Sequence, residues 1–256
     1  MSTATTFSCL CIRLGIATGW RAERIEGEGV VLMTQKNSSA AKWLFVVEIG
    51  VVSGIFYLAW RHQIPFSKTP FLFVLSWISL RLRGRRWKDV GFTIAPNWPM
   101  LLLIGLLVGV GIEALELFGM QPALTHLFGK GPNLSELNRL IGNTKLLVVG
   151  VALSWVMVAL GEELFYRGYL MNRVAGVLGG SKTAWTVSFS FTLALFGLHH
   201  FSQGVTGVTE NIIDGAILGA LYLTTGRNLL APIIAHGVTD TIDVVLIYSG
   251  HYPGMS

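Results

Sequence analysis

The chain has 256 residues, of which 52% are hydrophobic and only 13% charged, and its mean hydropathy is +0.59. Soluble domains carry about 25% charged residues, so this balance excludes an ordinary soluble globule and points to a one-domain integral membrane protein. The formal charge of +5 does not call for a nucleic-acid partner, because the basic residues lie mainly between apolar segments, where they set loop orientation. Cys9 and Cys11, both near the start, are the two cysteines, which excludes a disulfide framework and a cysteine nucleophile in the membrane body.

Residues 1–38 mix Arg13, Arg21, Glu23, Arg24, Glu26 and Glu28 with short apolar fragments of no clear period. They read as a poorly ordered N-terminal tail without a signal peptide. Met33, followed by Thr-Gln-Lys-Asn-Ser-Ser before the first apolar run, is a candidate translation start.

A helical span needs about 20 mainly apolar residues. By that measure spans are expected near 43–60, 98–118, 146–170, 184–202, 208–225 and 229–249. The shorter run from Phe71 to Leu80 is a seventh candidate, preceded by Pro70. The expected fold is all-α: a polytopic transmembrane helical bundle of about six to eight membrane helices around an intramembrane polar cavity. The N-terminal membrane helices occupy 39–142, the site-bearing helical core 143–250, and a C-terminal tail 251–256.

Arg81, Arg83, Arg85, Arg86 and Lys88 form the densest positive loop, which the positive-inside rule places in the cytoplasm. Alternation then puts 120–145 outside and Arg173, Lys182 and Arg227 inside. Small residues repeat at four-residue spacing in Gly50/Gly54, Gly105/Gly109, Gly176/Gly180 and Gly215/Gly219, a pattern that permits close helix approach.

Three polar groups interrupt the apolar spans. The first is Gly161-Glu162-Glu163-Leu-Phe-Tyr-Arg167, directly after the uncharged stretch 146–160. A charge near a bilayer centre costs roughly 2.5–3.5 kcal/mol on the mildest scale, so such residues mark a function or a buried pair. Glu163 and Arg167 are four apart and share a helical face, while Glu162 is turned about 100° away. Glu163 is therefore read as the partner of Arg167, and Glu162 as the acid left to work on water or a substrate. A purely structural ion pair would explain Glu163 and Arg167 but not the second acid.

The second group is Phe196-Gly-Leu-His199-His200, and the third is His236-Gly-Val-Thr-Asp240 with Asp243 three residues on. Histidine exchanges a proton near neutral pH or binds a metal. Periodicity does not decide which of His199 and His200 faces inward. His236, Asp240 and Asp243 lie along one helical stripe, compatible with an oriented histidine or with a polar lining of a water-filled cavity. With 1.5 Å per residue, Glu162 is about 24 Å from the helix end near Leu178 and His200 about 27 Å from Lys182, so the two meet in depth. His236, only about 10 Å from Leu229, requires either that the link at Arg227 dips into the membrane or that the site is a tall funnel open to the cytoplasm.

In this order and on three separate helices, Glu162-Glu163-x-x-x-Arg167, Phe196-x-x-x-His200 and His236-x-x-x-Asp240 resemble the motifs of the CPBP family of intramembrane proteases, which comprises CAAX prenyl endopeptidases and bacteriocin-processing or immunity (Abi) proteins. The resemblance covers about residues 145–249. It implies that Glu162 activates water with help from His200, that His236 and Asp240 stabilise the oxyanion, and that Glu163 and Arg167 support the site. The motif favours His200 over His199. Asp240 stands where Asn is frequent, and an ionised Asp is a poor oxyanion donor, so Asp240 orients His236 or is itself protonated.

The resemblance implies no certain cofactor, since both glutamate-type and metal-dependent members have been described. A divalent metal such as zinc would be held by Glu162, His200 and His236, although no His-Glu-x-x-His stretch is present, nor Gly-x-Ser-x-Gly for a serine nucleophile. Expected partners are membrane lipid and a peptide or protein substrate, prenylated in the CAAX case, with no nucleic acid. The expected location is multi-pass in a bacterial inner membrane, with the active site opening toward the cytoplasm. Two other readings stay open: a non-proteolytic immunity or scaffold protein, and a proton-coupled transporter, which would call for inverted repeats that the sequence does not display.

Overall fold

The computed structural model describes residues 39–64 and 67–253, with side chains from Trp43 onward. The expected tail 1–38 and the start at Met33 lie outside the described residues. The described chain is helical throughout, without a strand.

Helix α1 is Ser39–Trp60 and α2 is Thr69–Leu82, the latter opened by Pro70 in its first turn, where the missing N–H costs nothing. Helix α3, Trp98–Phe128, also starts on a proline and stops at Gly129, whose φ of 76° is the left-handed conformation that closes a helix. Helix α4, Thr144–Val177, is capped by the Asn143 side chain, which accepts from the Leu146 N–H at 3.2 Å. Ser181 caps α5, Lys182–His199, in the same way. Helices α6, Gly204–Thr224, and α7, Leu230–Ser249, complete the order.

Helices α1, α3, α4 and α7 are long and apolar enough to cross a membrane. Helices α5 and α6, with 18 and 21 residues, have the length but are less apolar; α6 carries Glu210, Asn211 and Asp214. α2 has 14 residues. The expected spans at 98–118 and 146–170 continue to Phe128 and Val177, because the true stop signals are Gly129 and Leu178-Gly179 rather than the fall in hydropathy. Phe118, Leu107 and Trp43 point outward, as lipid contact requires.

Two of the four glycine pairs make close packing. A Cβ on Gly105 would stand 2.7 Å from Ile234 Cβ, and one on Gly109 2.6 Å from the Ala235 carbonyl oxygen, so α3 lies directly on the backbone of α7. Gly215 and Gly219 receive the rings of Phe196 and Phe189, whereas Gly50, Gly54, Gly176 and Gly180 have open space. Gly109→Leu should therefore destabilise the bundle by about 1–3 kcal/mol or more, because a backbone oxygen cannot rotate away. Thermal unfolding in detergent, with Gly50→Leu as the unchanged control, checks this.

Hydrogen bonds define two ends. At one, the Leu229 N–H donates to Gly91 O at 2.9 Å, and Asn228 Nδ2 to Thr93 O at 3.0 Å, joining the link before α7 to the segment after the basic loop. At the other, Asn133 N donates to Gln203 O at 2.9 Å, Gly142 N to Tyr248 O at 2.9 Å, and Lys68 Nζ to His199 O at 3.1 Å. Tyr252, assigned by sequence to the tail 251–256, is buried at this second end with Leu140 and Ile247, and its hydroxyl accepts from Gln121 Nε2. One aromatic side chain that the bundle can enclose was enough to dock the segment.

Candidate active site

Helix α4 is not a uniform α-helix. Turns closed by i→i+5 hydrogen bonds run over Ser154–Leu160 and Leu164–Met171, leaving only Gly161–Glu163 in α geometry between them. Such wide turns recur at functional sites because they re-aim side chains. Here they flank the two glutamates. Gly161 lets α2 approach, since a Cβ there would meet Thr69 Cγ2 at 2.5 Å.

Glu163 is fully buried, and its Oε1 accepts from Arg167 Nη1 at 2.5 Å and from His236 Nδ1 at 3.0 Å. Arg167 also donates from Nη2 to Gly215 O at 3.0 Å, and its guanidinium lies 4.5 Å from the centre of the Phe196 ring. The expected pair of Glu163 with Arg167 is thus present, and it is extended by a histidine from α7. Arg167→Met should cost about 3–5 kcal/mol by leaving Glu163 buried without its counter-charge. Adding Glu163→Gln should recover part of that loss in the same unfolding measurement.

Glu162, 4% exposed, points elsewhere. Its Oε1 lies 3.5 Å from His199 Nε2, and its Oε2 has no hydrogen-bond partner. His199 is held in turn by the Tyr166 hydroxyl at 2.6 Å from Nδ1. His200 stacks on His199 with ring centres 4.9 Å apart and places Nδ1 3.1 Å from Phe196 O. The Phe196 ring meets those of Tyr166, His200 and His236 edge-on at 5.1, 5.2 and 6.1 Å. His236 Nε2 faces Asp240 Oδ1 at 3.7 Å, beyond hydrogen-bond length, so this ring nitrogen stays available.

Glu162, His200, His236 and Asp240 line one cavity of about 340 Å³, while Glu163 and Arg167 lie behind its wall. The cavity follows α7 from His236 to Ile247 and ends at Tyr252, a length of about 16 Å along the helix. It is therefore tall, spanning several turns of α7. Below Glu162, toward the basic loop, Phe165, Tyr166, Tyr169 and Leu170 fill the bundle. The cavity accordingly extends toward the end holding 129–143, opposite Arg81–Lys88. The basic loop and this part of the cavity thus lie toward opposite ends of the bundle.

His199 was set aside by the motif spacing, yet it is the imidazole touching Glu162; no periodicity distinguishes it from His200. Lys68, just before α2, lies near the same carboxylate. Burial pushes its ammonium down from the usual lysine range, and the Glu162 charge partly offsets this. Donor atoms of Glu162, His200 and His236 do not gather within 4.8 Å of one another, so this trio does not fit a single metal ion as the side chains stand; among the described residues Glu113, Glu116 and Asp243 do gather in that way.

These helices and this polar cavity define a helical-bundle integral membrane protein with a buried acid and imidazoles facing a common space. Residues 144–242 match the family model for type II CAAX prenyl endopeptidases, described as Rce1-like, consistent with the CPBP resemblance. That family is one of proteases, and the matched stretch holds all three motifs, while α1–α3 lie outside it. No curated protein and no solved structure matches the chain.

Proposed function

We propose that the protein is an intramembrane endopeptidase that hydrolyses a peptide bond of a membrane-associated substrate, of the prenylated CAAX type, with Glu162 as the base that activates water. The observation that carries this reading is Glu162 itself: a buried carboxylate lining a cavity large enough for a short peptide segment, with one oxygen unpartnered. Water on Oε2 loses its proton to Glu162 as its oxygen attacks the carbonyl carbon. Glu162 then returns the proton to the leaving amine.

His236 is suited to the developing oxyanion. Glu163 fixes its Nδ1, and in the imidazolium form Nε2–H is free for a substrate oxygen. Asp240 stands beside Nε2 and orients the ring rather than donating. His200, with Nδ1 directed to Phe196 O, offers Nε2 to the water or leaving group. Glu163 and Arg167 hold His236 and Phe196 in place.

Cytoplasmic access, as a CAAX-type substrate would need, puts the 129–143 end inside and the basic loop outside. Single cysteines at 135–139 and 83–86, labelled from each side of oriented vesicles, decide between the two orientations. A prenylated peptide and its unprenylated twin, offered in liposomes with and without a chelator, test the activity. Prenyl-dependent cleavage insensitive to the chelator supports the reading. Binding of the peptide without cleavage supports the scaffold alternative.

A further inference from the structure

The half of the cavity toward the end holding 129–143 is lined by Glu116, Asp214 and Asp243, acids that the proposed chemistry does not use. Glu113 and Glu116, three apart on α3, share a face, and α7 brings Asp243 to them, seven residues or about 10 Å beyond His236. One oxygen from each of the three lies within 4.8 Å of the others. Glu113 and Glu116 are buried at 2% and 8% exposure. Glu113 and Asp243 face each other within hydrogen-bond reach, and no donor group reaches either Glu113 oxygen, Glu116 Oε2 or Asp243 Oδ1.

A second observation comes from a third helix. Asp214 of α6, 9% exposed, is within hydrogen-bond reach of Glu116 and keeps Oδ1 unpartnered. Four carboxyl groups from α3, α6 and α7 thus converge, and Arg167, whose charge reaches Asp214, is itself paired with Glu163. Carboxylates at this burial need compensation, since an uncompensated buried charge is strongly destabilising. A cation supplies it with the ligands already in place.

We propose that Glu113, Glu116 and Asp243, with Asp214 beside them, form a site for a hard divalent cation, calcium, manganese or magnesium, which ties α3 to α7. All-oxygen donors select hard cations, whereas zinc favours nitrogen and sulfur ligands. The site is independent of Glu162 and of proteolysis. Its occupant neutralises the wall of the cavity and fixes the α3–α7 contact made at Gly105 and Gly109.

The test is metal content and thermal unfolding of the full chain in detergent, stripped with chelator and then supplied with calcium, manganese, magnesium or zinc. The wild type should bind about one equivalent of a hard cation and gain about 5 °C or more in Tm at saturation. Glu113→Gln and Asp243→Asn, which keep side-chain shape while removing charge, should lower affinity at least tenfold and lose the Tm gain. Their Tm without metal should stay at or above the wild-type value, which shows that they fold. Failure of the wild type to bind any of the three, equal binding by both variants, or preference for zinc would overturn the proposal. In the first case the carboxyls share protons among themselves.

Discussion

Glu162→Gln should reduce peptide cleavage by at least about 10²-fold, the lower end of what a positioned general base contributes, while Tm stays unchanged or rises. Glutamine keeps the length and planarity of the side chain but cannot take a proton from water. Glu162 is buried, faces the cavity, and carries no hydrogen bond on Oε2, so replacing its carboxylate removes a desolvated charge rather than a structural tie. The loss should fall on kcat and leave KM close to the wild-type value. Initial rates in proteoliposomes, with thermal unfolding on the same preparation, separate the two effects. A scaffold role would leave peptide binding intact and show no rate to lose.

The second large effect belongs to His236. His236→Ala should cost about 10²–10³ in kcat, the scale of one lost donor to a tetrahedral oxyanion. Unlike Glu162→Gln, it should also lower stability, because Glu163 Oε1 loses the contact made at 3.0 Å and keeps only Arg167. That asymmetry is the signature to look for: Glu162→Gln inactive with an undiminished Tm, His236→Ala inactive with a diminished one. Steady-state rates and unfolding curves for the two variants check it. Equal Tm changes would mean that His236 is not held by Glu163 as the geometry requires.

Much of this arrangement was legible in the residues. Helix positions followed from the apolar runs, and the pairing of Glu163 with Arg167 from four-residue spacing. The helix ends were not legible from hydropathy, because the chain stops at glycine conformations at 129 and 179 rather than at the membrane edge. The wide turns around Gly161–Glu163 have no periodic signature. Nor has the choice between neighbouring histidines: His199 reaches Glu162 because Tyr166 receives its other nitrogen, a contact made across two helices. The acids at 113 and 116 share α3 while 214 is on α6 and 243 on α7, and only packing brings the three helices' acids together. The direction in which the cavity extends has no signature in residue spacing either. The positive loop fixes one end of the bundle, but where the cavity extends depends on which residues fill the space beside Glu162.

The most direct measurement is mass spectrometry of a prenylated peptide incubated in H₂¹⁸O with wild-type protein in liposomes and, in parallel, with Glu162→Gln. Activated water predicts two product peptides with the wild type, one ¹⁸O in the newly formed carboxylate, and no product above background with Glu162→Gln. Cleavage by Glu162→Gln at the wild-type rate would contradict the account.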